Sequence, residues 1–307
     1  MSATAPRRKK SELPLDSVAQ EMGPAISVSP ALFGKFQRLI HQETGIWLGD
    51  HKMALLCGRL SRRLRASGIS TLDEYFEVVV QPDQLDERVA MIDAITTNET
   101  RFFREPKHFE FLEKRAIPRW LAEAQQGVRS RTIRFWSAAC SSGEEPYSVA
   151  MLLEAKLPRE QGWNATILAT DISTRMLELA RGGIYDVAKA GDIPESLLKR
   201  YMLKGIAEEA GQMKVMPSIQ EMVEIQRLNL AQGPYPPDGH FDVILCRNVL
   251  IYFDVESKHR VVERLTRCLT RTGLLFVGHA ENLSGINSPL RSLAPAIYVR
   301  AGEERGF

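Results

Sequence analysis

The sequence has few cysteines and no long apolar stretch. Its four cysteines, Cys57, Cys140, Cys246 and Cys268, form no CxxC pair. We therefore expect neither a zinc cluster nor a disulfide framework, and reduced thiols fit a cytoplasmic protein. No apolar run reaches the ~18 residues of a membrane span, so no membrane insertion is expected. A net charge of +2 argues against bulk nucleic-acid binding.

Several signatures of nucleotide, metal and hydrolytic enzymes are missing too. The chain has no GxGxxG, no GxxxxGK[ST], no HExxH and no GxSxG motif. These absences disfavour a nicotinamide cofactor, a nucleoside triphosphate, a catalytic metal and a serine nucleophile. The six histidines show no ligand spacing, so no metal site is predicted.

What the sequence does contain is a strand, a loop of small residues and a helix over residues 132–147. Ile133, Phe135 and Trp136 suit a buried strand. The residues that follow are all small, which lets a backbone approach a ligand closely, and Pro146 can lie in a first helical turn. This is the first unit of a nucleotide-binding parallel sheet. A structural turn that binds nothing is the alternative.

Two further predicted strands end in polar residues. Ala165–Thr170 leads into Asp171, at the place where nucleoside-binding folds keep an acid for the ribose hydroxyls. The alternative role for this acid is to cap the helix Ser173–Arg181. The strand Phe241–Cys246 ends in the same crevice, where parallel sheets bind ligands. The polar residues after it are Arg247, Asn248 and Tyr252.

The chain divides into four predicted parts. Residues 1–25 are rich in proline, serine and charge, which is typical of a disordered tail. Residues 26–95 have helical apolar spacing, and residues 96–130 form a linking segment and an amphipathic helix. Residues 131–307 form the α/β domain, interrupted by an insertion at about 184–222.

The predicted helix Lys52–Ala66 is strongly basic. Its apolar stripe is expected to consist of Leu55, Leu56, Leu60 and Leu64. Its cations form either an ordinary solvated face or a docking face for an acidic helical partner. The cations assigned to such a docking face are Lys52, Arg59, Arg62 and Arg63.

The segment Thr96–Glu105 also allows two interpretations. In one, a threonine caps a helix while the two phenylalanines enter a core. In the other, Asn98, Thr100 and Arg104 reach over the mouth of the sheet to hold a polar ligand. The pattern alone leaves both open.

A nucleoside-binding crevice without an evident base or covalent nucleophile suits S-adenosylmethionine chemistry on an anionic acceptor. A glutamate carboxylate has an unperturbed pKa near ~4.3, so it is ionised at neutral pH and needs no base. It can attack the sulfonium methyl in line. The enzyme would then supply mainly position, worth up to ~7–11 kcal/mol in the best intramolecular cases.

Four segments in order closely resemble the bacterial chemotaxis receptor methyltransferases of the CheR type, from about Ser29 to Arg300. They are TTNETRFFRE, WSAACSSGEEPYS, ATDIS followed by LELARGGIY, and FDVILCRNVLIYF. The resemblance implies an α/β fold: a doubly wound S-adenosylmethionine-dependent methyltransferase sheet, a small antiparallel β-subdomain insertion and an all-α N-terminal domain. It also implies methyl transfer to glutamate side chains on the cytoplasmic helices of chemoreceptors, for chemotactic adaptation.

The resemblance further implies roles for single residues. Arg104 and Tyr252 match the pair that orients the incoming carboxylate, so they are the catalytic candidates. Asp171 matches the ribose contact, and Asn229 and Leu230 match positions near the adenine. The complete set of matching cofactor positions is Asn98, Thr100, Arg104, Glu145, Asp171, Asn229, Leu230, Arg247 and Asn248.

Partners follow from the same resemblance. The basic helix resembles the receptor-docking helix of the family, and the insertion resembles a subdomain that in some members binds a pentapeptide at the receptor C-terminus. A monomeric cytoplasmic enzyme that releases S-adenosylhomocysteine is expected. The alternatives are a cofactor-binding scaffold at receptor arrays without turnover and, disfavoured by the helical domain and its basic face, a small-molecule methyltransferase.

Overall fold

Four helices build the N-terminal bundle of the computed structural model, which describes residues 28–303. They are α1 (Pro30–Thr44), α2 (Met53–Ser67), α3 (Leu72–Val79) and α4 (Leu85–Ile95). The Ser29 hydroxyl caps α1, and Gly45 and Gly68 end α1 and α2 in left-handed conformations, because a residue without Cβ adopts these at little cost. The predicted disordered tail over residues 1–25 lies outside the described residues.

The apolar stripe of α2 differs from the predicted one. Leu56, Leu60 and Leu64, spaced one turn apart, are buried in the bundle core. The assignment of Leu55 to this stripe is wrong, since its side chain is 42% exposed. A residue next to Leu56 in sequence is turned by about 100° around the helix, which takes it out of the stripe.

The linking segment leads into a helix that changes its period. It comprises α5 (Pro106–Phe111), a π-helical turn (Leu112–Ala116) and α6 (Ile117–Gln125). Pro118 lies in the first turn of α6, where its missing N–H and its ring would disturb a regular α-helix. The wider π turn before it lets the helix continue past the proline. None of the described helices combines the length and apolar character needed to cross a bilayer.

Within residues 28–303, ten strands form two sheets. They are β1 (Thr132–Ala138), β2 (Asn164–Asp171), β3 (Ile184–Asp186), β4 (Met202–Lys204), β5 (Gln212–Val215), β6 (Val223–Arg227), β7 (Phe241–Cys246), β8 (Leu269–Val277), β9 (Leu290–Ala294) and β10 (Ile297–Arg300). The large sheet has the order β6-β2-β1-β7-β8-β10-β9, parallel except for β10, which runs antiparallel to both neighbours.

Helices cover both faces of the large sheet. They are α7 (Glu144–Lys156), α8 (Thr174–Gly182) and α11 (Val255–Cys268), while α9 (Glu195–Tyr201) and α10 (Pro217–Gln220) pack against α7. Successive residues of β1 enter different cores: Phe135 packs with the α7 side and Trp136 with the α11 side. A strand buried on both faces reads as a continuous apolar run, which is why β1 and β7 were predictable. The doubly wound fold is confirmed.

The insertion is a three-stranded antiparallel sheet of order β3-β5-β4. Gly205 follows β4 at a close approach of the chain, where a Cβ would lie 2.0 Å from the Glu209 carbonyl oxygen. Ala207 has a φ of +52°, a left-handed conformation that is uncommon without glycine. The outer strands β3 and β4 expose Ile184 and Leu203 to solvent. The predicted β-subdomain is therefore confirmed.

The bundle packs against the carboxyl edge of the large sheet. The Trp47 backbone N–H donates to the Tyr252 carbonyl oxygen at 2.9 Å. His41 Nε2 lies 2.5 Å from Asp254 Oδ2. These contacts join the end of α1 to the segment after β7 and leave a cleft between the bundle and the sheet.

Candidate functional site

The cleft encloses about 1150 Å³, including its open mouth. It lies where the parallel strands end: Ala139 follows β1, Asp171 ends β2, Leu228 follows β6 and Arg247 follows β7. The bundle closes the opposite side. Every predicted cofactor or catalytic position lines this one cleft, namely Asn98, Thr100, Arg104, Glu145, Asp171, Asn229, Leu230, Arg247, Asn248 and Tyr252.

A buried arginine holds two acids on the sheet side of the cleft. The Arg247 side chain is 2% exposed, with Nη1 3.4 Å from Glu145 Oε2 and Nε 3.5 Å from Glu105 Oε2. Its Nη2 donates to the Arg104 carbonyl oxygen. Ser137 Oγ donates to Glu145 Oε1 at 2.6 Å. Burial raises the pKa of Glu145 above its usual range, although Arg247 and the Ser137 hydroxyl oppose the rise.

Glu105 also faces two histidines. Its Oε2 lies 3.2 Å from His108 Nδ1 and 4.0 Å from His279 Nδ1. Burial lowers the pKa of His108 to about 4, and the positive charge of Arg247 is the second cause of this decrease. Burial alone would raise the pKa of Glu105, but Arg247 and the His279 backbone N–H lower it overall.

The same three side chains lie close enough to share a metal ion. However, the Glu105 carboxylate already has Arg247 as a cationic partner. Glu105 is the last residue of the TTNETRFFRE segment and is absent from the predicted site residues. The absence of a metal site stays a prediction.

Asp171 is fixed at the end of β2 by backbone donors. Its Oδ1 accepts the Ser173 N–H at 2.9 Å and its Oδ2 accepts the Ser141 N–H at 2.8 Å. Burial raises the pKa of Asp171, while these two N–H groups act in the opposite direction. Ser173, not Asp171, caps α8, since its hydroxyl accepts the Met176 N–H at 3.3 Å. The carboxylate therefore remains at the cleft instead of acting as the helix cap.

Asn229 connects the sheet to the bundle. Its Nδ2 donates to the Glu43 carbonyl oxygen at 2.6 Å, and its Oδ1 accepts the Ala231 N–H at 2.9 Å. Leu228 and Leu230 on either side are almost fully buried. This part of the cleft thus combines an apolar lining with a fixed amide.

The segment Thr96–Glu105 contributes side chains both to a core and to the cleft. Phe102 is 1% exposed in the core, while Asn98, Thr100 and Arg104 line the cleft. Ser141 Oγ donates to the Asn98 carbonyl oxygen at 2.8 Å, which ties the segment to the small-residue loop. Thr96 follows the last residue of α4, so it ends a helix and does not begin one.

Two of the predicted docking cations instead line the cleft. Lys52 Nζ lies 5.5 Å above the Tyr252 ring. Arg59 donates to the Ile95 carbonyl oxygen and, at 2.9 Å, to Thr97 Oγ1. Both side chains are partly buried between the bundle and the sheet.

The other two docking cations differ from each other. Arg63 Nε donates to Glu87 Oε1 at 3.1 Å, and the same carboxylate oxygen accepts the Tyr75 hydroxyl at 2.7 Å. Arg62 is exposed and forms no ion pair within residues 28–303. The four cations therefore do not form one continuous exposed face, and their role in docking stays a prediction. Helical spacing predicts direction around the axis, but it does not reveal an acid on a neighbouring helix.

Residues beyond the predicted set also shape the cleft. The Glu281 carboxylate accepts the backbone N–H groups of Asn248 at 2.8 Å and Ile251 at 3.2 Å, which holds the loop after β7. Ile46 and Leu48 contribute apolar surface from the bundle. No spacing in the sequence distinguishes these residues from ordinary loop and core positions.

Comparison with known proteins agrees with this architecture. Residues 31–96 match the family described as CheR methyltransferase, all-alpha domain, and residues 98–299 match CheR methyltransferase, SAM binding domain.

Three curated relatives extend these matches over nearly the whole chain. The chain is 38% identical to the chemotaxis protein methyltransferase of Salmonella typhimurium over 92% of its own length and 94% of the relative's. It is 36% identical to the Escherichia coli protein of the same name, over 92% of its own length and 95% of that protein's length. It is also 36% identical to chemotaxis protein methyltransferase 2 of Pseudomonas aeruginosa, over 88% and 92%.

The two matched domains meet at the cleft, where the ends of the parallel strands carry the acids and amides that a nucleoside-type cofactor requires. With an all-α domain, a mostly parallel sheet, an antiparallel insertion and relatives aligned over at least 88% of this chain, the chain belongs to the CheR methyltransferase family and uses S-adenosylmethionine as its methyl donor.

Proposed function

We propose that this chain transfers the methyl group of S-adenosylmethionine to glutamate carboxylates on the cytoplasmic helices of bacterial chemoreceptors, forming glutamyl methyl esters. The composition of the cleft carries the proposal. Five cations and three acids line it, and none of the described histidines does. The cations are Lys52, Arg59, Arg101, Arg104 and Arg247, and the acids are Glu99, Glu145 and Asp171. A cationic surface without a histidine base suits an acceptor that arrives ionised.

The residues present fit the methyl donor. Each oxygen of the Asp171 carboxylate accepts one backbone N–H and can accept another donor, such as a ribose hydroxyl. The apolar Leu228 and Leu230 beside the Asn229 amide suit an adenine ring. Glu145 and its Arg247 partner would face the amino-acid end of the donor.

Arg104 and Tyr252 are the residues that we propose orient the acceptor. Arg104 Nη1 donates to the Glu99 carbonyl oxygen at 2.8 Å, which leaves further guanidinium donors for a carboxylate. When bound, S-adenosylmethionine supplies a methyl group on a sulfonium, which a carboxylate accepts without moving a proton. These two side chains therefore need only to hold the carboxylate in line, and positioning is the main source of rate.

The partner is proposed to be an acidic helical surface of a cytoplasmic receptor domain. Arg62 and Arg65 are exposed cations of α2, and Lys52 and Arg59 extend the positive charge into the cleft. A receptor C-terminal peptide could add a strand to an outer edge of the insertion, beside the exposed Leu203 of β4. We propose that the enzyme acts as a cytoplasmic monomer.

Transfer of labelled methyl groups to receptor-containing membranes tests the proposal. We expect a protein-bound product that releases methanol in mild alkali, because methyl esters are base-labile. A base-stable product would indicate N-methylation. Cofactor binding without any product on receptors would contradict the enzymatic proposal and favour a scaffold.

Tyr252→Phe keeps the ring and removes the hydroxyl. We expect slower transfer with unchanged cofactor affinity, measured by calorimetry with S-adenosylhomocysteine. Tyr298→Phe, which alters a tyrosine of β10 outside the cleft, is the matched control.

A further inference from the structure

The antiparallel insertion contacts the small-residue loop that borders the cofactor cleft, residues 139–145. Tyr185, the middle residue of β3, is buried, and its hydroxyl donates to the Ser142 carbonyl oxygen at 2.7 Å. Its ring meets the Phe102 ring edge-on, with centroids 4.9 Å apart. One side chain of the insertion thus touches two segments that line the cleft.

A second side chain of the insertion reaches the same loop. Lys189, in the short 3₁₀ segment Val187–Asp192, forms an ion pair with Glu144, whose side chain is fully buried. The other oxygen of this carboxylate accepts the Ser142 hydroxyl at 2.7 Å. The Lys189 ammonium also lies 5.7 Å from the centroid of the Tyr185 ring. A buried carboxylate depends on such a partner, because an unpaired charge in the interior is costly.

The loop held in this way controls the cofactor side of the cleft. Ser141 has a φ of +49° and donates its N–H to Asp171 and its hydroxyl to the Asn98 carbonyl oxygen. Gly143 approaches the insertion so closely that a Cβ there would lie 2.8 Å from the Tyr185 hydroxyl. A displacement of the loop would therefore shift both the acid of β2 and the segment after α4.

We infer that Tyr185 and Lys189 are positioning residues for S-adenosylmethionine, and that the insertion holds the loop in its binding conformation. Neither side chain lines the cleft, so each acts through Ser142 or Glu144. The inference concerns the donor alone. It remains valid whichever acceptor receives the methyl group.

Tyr185→Phe tests the hydroxyl with a minimal change of shape. We expect a three- to tenfold weaker affinity for S-adenosylhomocysteine by calorimetry, the range given by one lost hydrogen bond. The KM for S-adenosylmethionine should rise, while kcat at saturating donor should stay within about twofold. The matched control is Tyr201→Phe, because the buried Tyr201 hydroxyl has no hydrogen-bond partner among residues 28–303.

Lys189→Met tests the ion pair, and Lys199→Met, which alters an exposed pair with Glu195, is its control. We expect a larger loss of donor affinity than for Tyr185→Phe, and recovery of most of it in Lys189→Arg. A lower melting temperature with unchanged donor affinity in Tyr185→Phe would overturn the inference, because the insertion would then only stabilise the fold. If Lys189→Met does not fold, the comparison of Tyr185→Phe with its control Tyr201→Phe tests the inference by itself.

Discussion

The two walls of the cleft are built differently. On the sheet wall, Arg247 is almost fully buried between two carboxylates, and Asp171 is fixed by two backbone N–H groups. On the bundle wall, Lys52 and Arg59 are partly exposed, and Leu55 is 42% exposed.

This contrast separates two tasks. Charges that are paired and buried keep one geometry, as binding the same small molecule in every cycle requires. Exposed charges and apolar side chains adapt to a larger surface and act mainly on encounter rates. We therefore assign the sheet wall to the methyl donor and the bundle wall to the acceptor protein.

Removing the central cation of the sheet wall should have the largest effect. Arg247→Met leaves Glu105 and Glu145 buried without their partner, and we expect a loss of about 3–5 kcal/mol in the free energy of unfolding. Urea denaturation measures it. Arg271→Met, which breaks an exposed pair with Glu303, should change little. Equal midpoints for the two variants would show that this pairing does not hold the wall.

The pH dependence of stability should come next. His108 has a pKa of about 4 in the folded chain and about 6.5 when unfolded, so the unfolded chain binds more protons between these values. Stability should therefore fall as pH decreases from 6.5 to 4, by up to about 3 kcal/mol from this group. The depressed pKa of Glu105 adds a loss only at lower pH.

His108→Gln should remove the part of this slope between pH 6.5 and 4. Urea unfolding at several pH values measures it, with the exposed His51→Gln as control. An unchanged slope in His108→Gln would mean that this imidazole titrates normally.

The affinity for the cofactor tests whether Asp171, one acid of the sheet wall, contacts the ribose. Asp171→Asn keeps the shape but removes the charge, and we expect binding of S-adenosylhomocysteine to weaken by ~1–3 kcal/mol. Asp242→Asn is the matched control. This buried acid of β7 also accepts a backbone N–H, from Arg134 at 2.9 Å, and it lies at the opposite end of its strand from Arg247. Equal affinities in calorimetry would argue against a ribose contact.

The smallest effect should separate two neighbouring cations of α2, Arg62 and Arg63, which lie on the bundle outside the cleft. Arg62→Glu should slow methylation of receptor membranes several-fold at low salt, less at high salt, with stability and donor affinity unchanged. Arg63→Glu should instead lower the free energy of unfolding by about 1–3 kcal/mol, since the Glu87 carboxylate, which also accepts the Tyr75 hydroxyl, loses its cationic partner. Arg291→Glu, on the far edge strand β9, is the control. Identical rates for Arg62→Glu and this control would remove α2 from the docking surface.

The sheet side of the site was predictable because the topology of a parallel sheet brings its residues together at one edge. Asp171, Asn229 and Arg247 are far apart in sequence, but each follows or ends a parallel strand, and such ends converge at one edge. The apolar runs of β1 and β7 mark the strands themselves. The order of the four sequence motifs then identifies the cleft from the sequence alone.

The parts that could not be predicted depend on partners distant in sequence. Nothing around Arg63 indicates that Glu87 on α4 will accept its hydrogen bond. The sequence of residues 271–273, which ends in glycine, is typical of the end of a helix. These residues instead belong to β8, whose register with β7 shifts between Phe241 and Val243. Tyr185 reads as an ordinary strand aromatic, and only the folded insertion brings its hydroxyl to Ser142.

A crystal structure with bound S-adenosylhomocysteine tests the division of the two walls most directly. The account predicts density for the nucleoside between Glu145, Asp171 and Asn229, with the sulfur directed toward Arg104 and Tyr252 at the cationic mouth. Density against α2 instead, or outside the cleft between the bundle and the sheet, would contradict it.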